Sequence, residues 1–555
     1  MAEGSAGVGR RTWLHGATTY ESKPLSITRR DGALWRDVAS SGHAGLVNRR
    51  RSLKALALGS GASLVPGSMF AATVGPHSDG LARTNPAEAN IDPRIVLNFI
   101  DSVFAHDLDL HSFMLYRHGH VVAEGWSWPY ASHRPHIMHS LTKSVTACGV
   151  GVAVDEGRFA LSDRVVSFFS GEVSEPLDAK LSTMTVRDLL TMQSGHAISV
   201  SGSVFRPIKT SWVTEFFKIP VVHKPGTHFI YSSAVSFMLS AIVSQTTGQS
   251  VRDYLQSRLF EPMGIQGITW GASPNGVSSG GNGLTWKTQD SLKLGVLHLQ
   301  RGRWRGEQLL SSGWVDEATK LQVPGHNYGY QWWVNESAPA YMAIGAFGQY
   351  TIVFPEHDAV LAITAGVPND AGLDRIIFEH FPVAFRDASF VPSAREVTAL
   401  TRRTEHLRLV PQARATRSQT ARRIDGKAFQ IDANDDNVTR VQLDFGDREA
   451  VFRQWDHRGE HAVRVGLSDW IESDTGITGN KLHHQYQSDA MRVVAHGRWW
   501  DEHTFEMTWQ FVETAWADRV VCRFLDNRIS VDRRTNANYA DTVAPTLRGE
   551  IVDED

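Results

Sequence analysis

Two residues with the chemistry of a nucleophile and its base stand three positions apart in the first third of the chain. Ser140 and Lys143 open an apolar run that predicts a buried helix from Ser140 to a glycine stop at Gly157. Positions i and i+3 of a helix share a face, so Lys143 Nζ can reach Ser140 Oγ. A serine hydroxyl becomes nucleophilic when a base takes its proton, and burial lowers the pKa of a lysine towards neutrality. The pair therefore indicates acyl transfer, with a helix-capping serine beside a solvated lysine as the alternative.

Two later motifs add polar groups and flexible backbone. Tyr231-Ser-Ser233 precedes an apolar helix over 234–243, and Ala346-Phe-Gly348-Gln349 forms a turn into a strand. Together with Ser-x-x-Lys they make an ordered series within residues 90–385. In order and spacing this block resembles the serine β-lactamase-like superfamily. That superfamily includes class C β-lactamases, D-Ala-D-Ala peptidases, D-aminopeptidases, family VIII esterases and nylon-oligomer hydrolases.

The resemblance implies a role for each matching residue. Ser140 matches the acylated nucleophile, Lys143 its general base, and Tyr231 the residue that shuttles protons during acylation and deacylation. Gly348 would let the backbone approach the substrate, and the N–H groups of Ser140 and Gln349 would form the oxyanion hole. Each such donor is worth about 2.7–4 kcal/mol in comparable acyl-transfer enzymes.

Two positions depart from the pattern of the superfamily. Ser233, a candidate substrate-binding residue, stands where asparagine is usual, and Ala346 stands where a lysine or histidine would bind a substrate carboxylate. A missing cation removes a contact worth about 1.5–3 kcal/mol. We therefore expect a serine hydrolase acting on small uncharged esters or amides. A β-lactamase, a D-amino-acid peptidase or amidase, and a non-hydrolysing penicillin-recognising protein remain alternatives.

A second serine motif competes for the role of nucleophile. Gly276-Val-Ser278-Ser-Gly280 fits the Gly-x-Ser-x-Gly elbow, which needs a hydrophobic strand before it and a helix after it. It lies instead in a Gly/Ser-rich stretch that predicts a flexible surface loop. We expect Ser278 to take no part in catalysis.

The remaining candidates are histidines and aromatic residues. The closest histidine pairs, His118-x-His120 and His483-His484, lack the spacing of a zinc hydrolase, so we expect neither metal nor cofactor. His139, next to Ser140, is expected to line or support the pocket rather than act as the base. Five aromatic side chains are candidates for a pocket wall, with core packing as the alternative: Trp126, Trp128, Tyr330, Trp332 and Trp333.

The composition bounds the class of protein. The chain has 555 residues, 42% of them apolar and 21% charged, which is typical of a folded globular protein. A net charge of −3 gives no reason to expect nucleic acid or an anionic membrane as a partner. Two cysteines, Cys148 and Cys522, exclude a disulfide framework. The expected partner is a small-molecule substrate, and a homo-oligomer stays open.

The predicted organisation is two folded domains. Residues 76–385 are expected to form an α/β domain with an antiparallel sheet flanked by helices, beginning with a hairpin over 112–125. A basic linker over 386–423 leads to a β-rich domain over 424–540, where apolar and polar residues alternate. This second domain resembles the antiparallel, lipocalin-like C-terminal domains of D-aminopeptidase-type relatives. Residues 541–555 indicate a polar tail.

The first 75 residues carry an expected export signal. Arginines at 49–51 precede a weakly apolar run and small residues, which resembles a twin-arginine signal over 48–72. The run is too short and too rich in Gly and Ser for a stable membrane span. We expect a periplasmic or secreted protein, with the cytoplasm as the alternative, and a true translation start near Leu46 or Val47.

Overall fold

A computed structural model describes residues 79–173, 176–369, 371–411, 416–486 and 488–552. The twin-arginine-like segment at 48–72 lies outside the described residues. From Leu81 onward the chain forms one unit, in which an α/β domain and a β domain pack against each other. Among the described residues, no helix combines the length and apolar composition needed to cross a bilayer.

A six-stranded antiparallel sheet forms the centre of the α/β domain, in the order β2-β1-β11-β10-β9-β8. The predicted hairpin supplies β1 and β2, joined at His118-Gly119, where both residues have positive φ. Short strands form two smaller sheets, β3-β5-β4 and β6-β7. The strands are β1 (Leu110–Arg117), β2 (His120–Trp126), β3 (His136–Ile137), β4 (Thr269–Trp270), β5 (Leu284–Trp286), β6 (Arg303–Trp304), β7 (Glu307–Gln308), β8 (Trp333–Asn335), β9 (Ala340–Gly345), β10 (Gln349–Phe354) and β11 (Ala359–Ala365).

Helices cover both faces of this sheet. Alternate residues of β1 point into two different cores, Phe113 and Leu115 towards α1, α10 and α11, and Met114 and Tyr116 towards the larger helical side. The helices are α1 (Pro93–Ala105), α2 (Thr142–Asp155), α3 (Val186–Leu190), α4 (Gly202–Phe205), α5 (Trp212–Phe217), α6 (Ser233–Thr247), α7 (Val251–Leu255), α8 (Thr288–Leu299), α9 (Ser312–Thr319), α10 (Leu373–His380), α11 (Ala394–Glu405) and α12 (Gln419–Ile424). Short 3₁₀ helices cover His139–Leu141, Val165–Phe168, Leu181–Thr183, Pro355–His357 and Lys481–His483, and a π-helical turn covers Gln256–Phe260.

The helix predicted to begin at Ser140 begins two residues later. His139–Leu141 form a 3₁₀ turn, and the α-helix α2 runs from Thr142. His139 has a φ of 47°, a left-handed conformation that interrupts regular helix geometry just before Ser140. Ser140 therefore lies on a sharp turn that leads into the helix, three positions before Lys143.

The C-terminal part is an antiparallel β domain, and the predicted fold class is confirmed. Its ten described strands run in the order β15-β14-β13-β12-β21-β20-β19-β18-β17-β16, and a parallel pairing of Gly466 in β15 with His496 in β17 connects one edge strand to the strand next to the opposite edge. The strands are β12 (Ala428–Ile431), β13 (Arg440–Phe445), β14 (Glu449–Asp456), β15 (Gly459–Gly466), β16 (Ile471–Thr475), β17 (Met491–Trp499), β18 (Thr504–Phe511), β19 (Ala517–Leu525), β20 (Arg528–Thr535) and β21 (Leu547–Ile551).

The segment from 541 is more than the polar tail that its composition indicates. Residues Leu547–Ile551 form β21, which pairs with both β12 and β20. The strand is short and carries Gly549 at its centre, so its hydrophobic signal is weak, although Leu547, Gly549 and Ile551 occupy alternate positions. Main-chain pairing on both edges compensates for the small apolar surface.

A turn of the β domain between β18 and β19 packs directly onto the α/β domain. The Ile137 N–H, two residues before His139, donates to the Glu513 carbonyl at 2.9 Å. Tyr130 donates its hydroxyl to the Thr514 carbonyl at 3.1 Å and accepts from the Gln510 amide at 2.7 Å. The chain that leads to the Ser140 turn is thus held by both domains.

Candidate active site

Ser140 and Lys143 lie within hydrogen-bond distance, as their spacing predicts. Lys143 Nζ is 3.0 Å from Ser140 Oγ. Ser140 is half-buried, so part of its surface is accessible to solvent, whereas the Lys143 side chain is buried with a relative exposure of 1%. The solvated-lysine alternative is therefore wrong.

Lys143 is surrounded by neutral polar groups. Besides Ser140, its Nζ contacts the Ser233 Oγ at 3.2 Å and the Gly281 carbonyl oxygen at 2.7 Å. No carboxylate among the described residues forms an ion pair with it, and burial lowers the pKa of Lys143 to about 7. A large fraction of the amine is therefore neutral near neutral pH.

The three partners allow an arrangement of hydrogen bonds in which the lone pair of a neutral Lys143 faces Ser140. The Gly281 carbonyl can only accept, so one N–H must donate to it. The second N–H can donate to the Ser233 hydroxyl, which leaves the lone pair of Nζ for the Ser140 O–H. This arrangement can remove the proton of Ser140 as its oxygen attacks a carbonyl carbon.

Tyr231 lies over the other side of this pair. Its ring centre is 4.8 Å from Lys143 Nζ, and the Trp333 ring packs 5.5 Å away on a tilted face. Burial raises the pKa of Tyr231 above its ordinary value, and a hydrogen bond with the Ser140 hydroxyl opposes this only in part. The phenol therefore stays protonated at neutral pH and can donate, so the lysine is the better base of the two.

The turn between β9 and β10 brings Gly348 and Gln349 to the same place. Gly345 lies so close to the Met138 carbonyl that a Cβ there would collide with it, and this contact seats the turn beside the Ser140 segment. Gly348 has a φ of 93°, a conformation that side chains disfavour. The buried side-chain amide of Gln349 donates to the Ala346 and Ala365 carbonyls at 3.1 and 2.9 Å, and these hydrogen bonds hold the turn against β11.

The β domain contributes residues to this site that the sequence patterns do not reveal. Ala346 and Phe347, in the β9–β10 turn, belong to the hydrophobic core of the β domain. Tyr539 lies 5.2 Å from the Phe347 ring, and its electrostatic influence extends to Tyr231. A partner more than a hundred residues away leaves no periodic signal in the sequence, so only the fold places these side chains at the site.

A second unpredicted contact joins Arg206, the residue that follows α4, to the β domain. The Arg206 guanidinium lies 3.8 Å from the centre of the Tyr486 ring and donates to the His484 carbonyl at 2.8 Å. Tyr486 in turn packs edge-on against His139, with ring centres 5.9 Å apart. The immediate neighbour of Ser140 is thus enclosed by the β domain.

The loop around Ser278 differs from its prediction. Ser278 and Ser279 are buried, and the Ser278 hydroxyl accepts a hydrogen bond from the Arg252 backbone N–H at 3.4 Å. The loop is therefore an internal support rather than a flexible surface segment. Through Gly281 it supplies a carbonyl to Lys143, a contribution that no side-chain motif could reveal.

The aromatic and histidine candidates separate clearly. Trp333 lies beside Tyr231, whereas Tyr330 and Trp332 are core residues with exposures of 1% and 0%. Trp126 packs against the core of the helical side, and Trp128 is partly exposed beside Trp470.

Across the described ranges, no three His, Cys, Asp or Glu side chains are grouped to hold a metal ion. Burial lowers the pKa of His139 well below its usual value, so the ring is neutral.

Comparison with known proteins gives the family of this block. The Beta-lactamase family model matches residues 104–376. The 6-aminohexanoate-dimer hydrolase of Paenarthrobacter ureafaciens is 24% identical over 285 residues, which are 46% of this chain and 73% of that protein. Lovastatin esterase of Penicillium rubens is 26% identical over 148 residues, which are 23% of this chain and 37% of that protein. The chain thus spans most of one relative and little more than a third of the other.

One solved structure shows a weak overall likeness to the chain. The octameric penicillin-binding protein homologue from Pyrococcus abyssi aligns with a TM-score of 0.42 at 14% identity, over 82% of this chain and 99% of that chain. The identification rests on the family match together with the order of the motifs within it. Residues 104–376 thus match the Beta-lactamase family, within the serine β-lactamase-like superfamily.

Proposed function

We propose that the protein is a serine hydrolase that cleaves an ester or amide bond through an acyl-enzyme on Ser140. Ser140 Oγ attacks the carbonyl carbon while its proton moves to the neutral Lys143 amine. The N–H groups of Ser140 and Gln349 hold the oxyanion that forms. When the bond to the leaving group breaks, Tyr231 and Lys143 transfer a proton to the leaving group. Water then attacks the acyl-enzyme by the same route and releases the acid.

The observation that carries this proposal is the environment of Lys143. A buried amine with a pKa of about 7, hydrogen-bonded to a half-buried serine and to two neutral oxygens, has the properties of a general base. A lysine whose purpose was structural would be expected to pair with a carboxylate, because an uncompensated buried cation is costly.

The proposed substrate is uncharged near the β9–β10 turn. Ala346 stands at the position where the superfamily usually has a lysine or histidine, and its side chain is buried against the β domain. The names of the two relatives, a 6-aminohexanoate-dimer hydrolase and a lovastatin esterase, support an ester or amide bond without choosing between them. We therefore expect neutral esters and amides to be hydrolysed faster than substrates with a carboxylate next to the scissile bond.

A hydrolysis panel tests this proposal. It comprises p-nitrophenyl esters of short acyl chains, cephalosporins and D-aminoacyl amides, each measured with the native protein and with Ser140→Ala. The proposal predicts turnover of at least one ester or amide and its loss in the variant. Turnover confined to cephalosporins would favour a β-lactamase. Labelling of Ser140 by a penicillin without any turnover would favour a non-hydrolysing binding protein.

Export to the periplasm or medium is a separate proposal that rests on the arginine-rich segment over 48–72. N-terminal sequencing of protein recovered outside the cytoplasm tests it. A mature chain that starts after the small residues near 70–72 would support export, and one that starts at Met1 would contradict it.

A further inference from the structure

Two strained residues flank the proposed oxyanion hole. His139 immediately precedes Ser140, and Phe347 stands two positions before Gln349. Both have left-handed backbone conformations, with φ values of 47° and 64°, although neither is glycine. A side chain disfavours this conformation, which persists only when the surroundings hold it in place. The Ser140 N–H, one proposed donor, directly follows His139. The Gln349 N–H, the other proposed donor, follows Phe347 after one glycine.

The rings of these two residues meet each other and one tryptophan of the β domain. The His139 and Phe347 ring centres are 5.1 Å apart in an edge-to-face arrangement. Trp516 is fully buried and lies 5.5 Å from His139 and 6.2 Å from Phe347. A single indole therefore contacts both segments that lead to the proposed donors.

Trp516 is itself rigidly held inside the β domain. Its ring stacks on His483 at 4.7 Å with an interplanar angle of 4°. His483 Nε2 lies 2.9 Å from the Asp518 carboxylate, and His483 Nδ1 accepts from the Gly479 N–H at 3.2 Å. Asp518 also pairs with Arg533, and these contacts hold the pKa of its carboxyl at about 2 despite burial. A charged network therefore fixes the indole from behind.

We propose that Trp516 is a positioning residue that holds the His139 and Phe347 backbones in their strained conformations, so that the Ser140 and Gln349 N–H groups face one oxyanion. This inference rests on the proposed function. It assigns the β domain a part in catalysis, because the α/β domain alone lacks the ring that bridges the two segments. Loss of the indole would let either backbone relax and turn its N–H away.

A matched pair of substitutions tests the inference. Trp516→Phe removes part of the bridging ring, and Trp499→Phe makes the same change in another buried tryptophan of the β domain. Trp499 packs among Phe445, Phe505 and Phe524. For Trp516→Phe we expect kcat to fall roughly 10- to 100-fold with KM little changed. Misplaced donors stabilise the oxyanion of the transition state less well, whereas they affect the bound ground-state substrate little. Trp499→Phe should leave kcat near the native value at a similar loss in Tm.

A second readout needs no turnover. Phenylboronic acid should bind to Ser140: the Ser140 Oγ forms a bond to boron, and the serine proton moves to Lys143. The adduct is tetrahedral and anionic, and one of its boron-bound oxygens occupies the proposed oxyanion hole. Calorimetry should show a weaker complex for Trp516→Phe by a factor similar to the loss in kcat, and native affinity for Trp499→Phe. Should Trp516→Phe fail to fold, Phe347→Leu removes another ring of the same trio and should give the same pattern.

The outcomes separate this inference from the proposed function. Equal losses in the Trp516 and Trp499 variants would overturn the positioning role while leaving the hydrolase intact. A native protein that neither hydrolyses the panel nor binds the boronic acid would overturn both.

Discussion

Replacing Lys143 by methionine should abolish hydrolysis and, at neutral pH, stabilise the fold. Lys143 is 1% exposed and has no carboxylate partner among the described residues, so its charged form is strongly disfavoured in the folded protein. Methionine has a similar length and no charge to desolvate. The substitution removes the base and, with it, the free-energy cost of burying that base.

The magnitude follows from the pKa of the lysine. Burial lowers it from 10.5 to about 7. At about 1.36 kcal/mol for each tenfold change in the proton equilibrium, the full cost approaches 5 kcal/mol. Hydrogen bonds lost to Gly281 and Ser233 offset about 1–3 kcal/mol of it. Because the folded-state pKa is the lower one, only the unfolded chain binds the proton between the two values, so native stability rises with pH across this window.

Urea unfolding of the native protein and Lys143→Met at several pH values measures this effect. The variant shares every other titrating group, so the difference between the two free energies of unfolding isolates Lys143. We expect the advantage of the variant to shrink by about 2 kcal/mol between about pH 7 and about pH 9. A difference that stays constant over this range would show that Lys143 is charged in the folded protein and would refute its assignment as a neutral base.

Three further predictions follow from the site geometry. The kcat/KM of the native enzyme should rise about tenfold per pH unit at acid pH and level off above about 7, since only the neutral Lys143 amine accepts a proton; a flat profile from about pH 5 to 8 would contradict this. Tyr231→Phe keeps the ring beside Trp333 and loses the donor, so kcat should fall roughly 10²- to 10⁴-fold with little change in KM, and native kcat would exclude proton transfer by Tyr231. Ser278→Ala should keep native kcat and KM, because its buried hydroxyl accepts a hydrogen bond from the Arg252 backbone N–H, and loss of activity in a folded variant would reopen the elbow motif as the nucleophile.

The parts of the site that the sequence predicted are those with local signals. Ser140 and Lys143 share one turn, and Ser233 begins an apolar helix, so spacing and hydrophobic runs reveal both segments. The packing of α2 against α6 then brings the two segments together. The motif order was sufficient to indicate the family, whereas the catalytic role of each residue stays a prediction.

The parts that the sequence did not predict depend on tertiary contacts. The Gly281 acceptor is a backbone carbonyl, so it has no side-chain identity to recognise. The 3₁₀ turn at Ser140 depends on the left-handed His139, whose conformation is held by rings distant in the chain. Trp516 immediately precedes β19, and nothing near it in the sequence indicates that it reaches another domain.

The central claim is that Ser140 carries the acyl group, and trapping that intermediate tests it most directly. Native protein mixed with excess p-nitrophenyl ester and quenched in acid should gain the mass of one acyl group, located by peptide mass spectrometry on Ser140. Ser140→Ala should gain nothing, and Ser278→Ala should be acylated like the native protein. An acyl group on any other residue, or hydrolysis that survives in Ser140→Ala, would contradict the account.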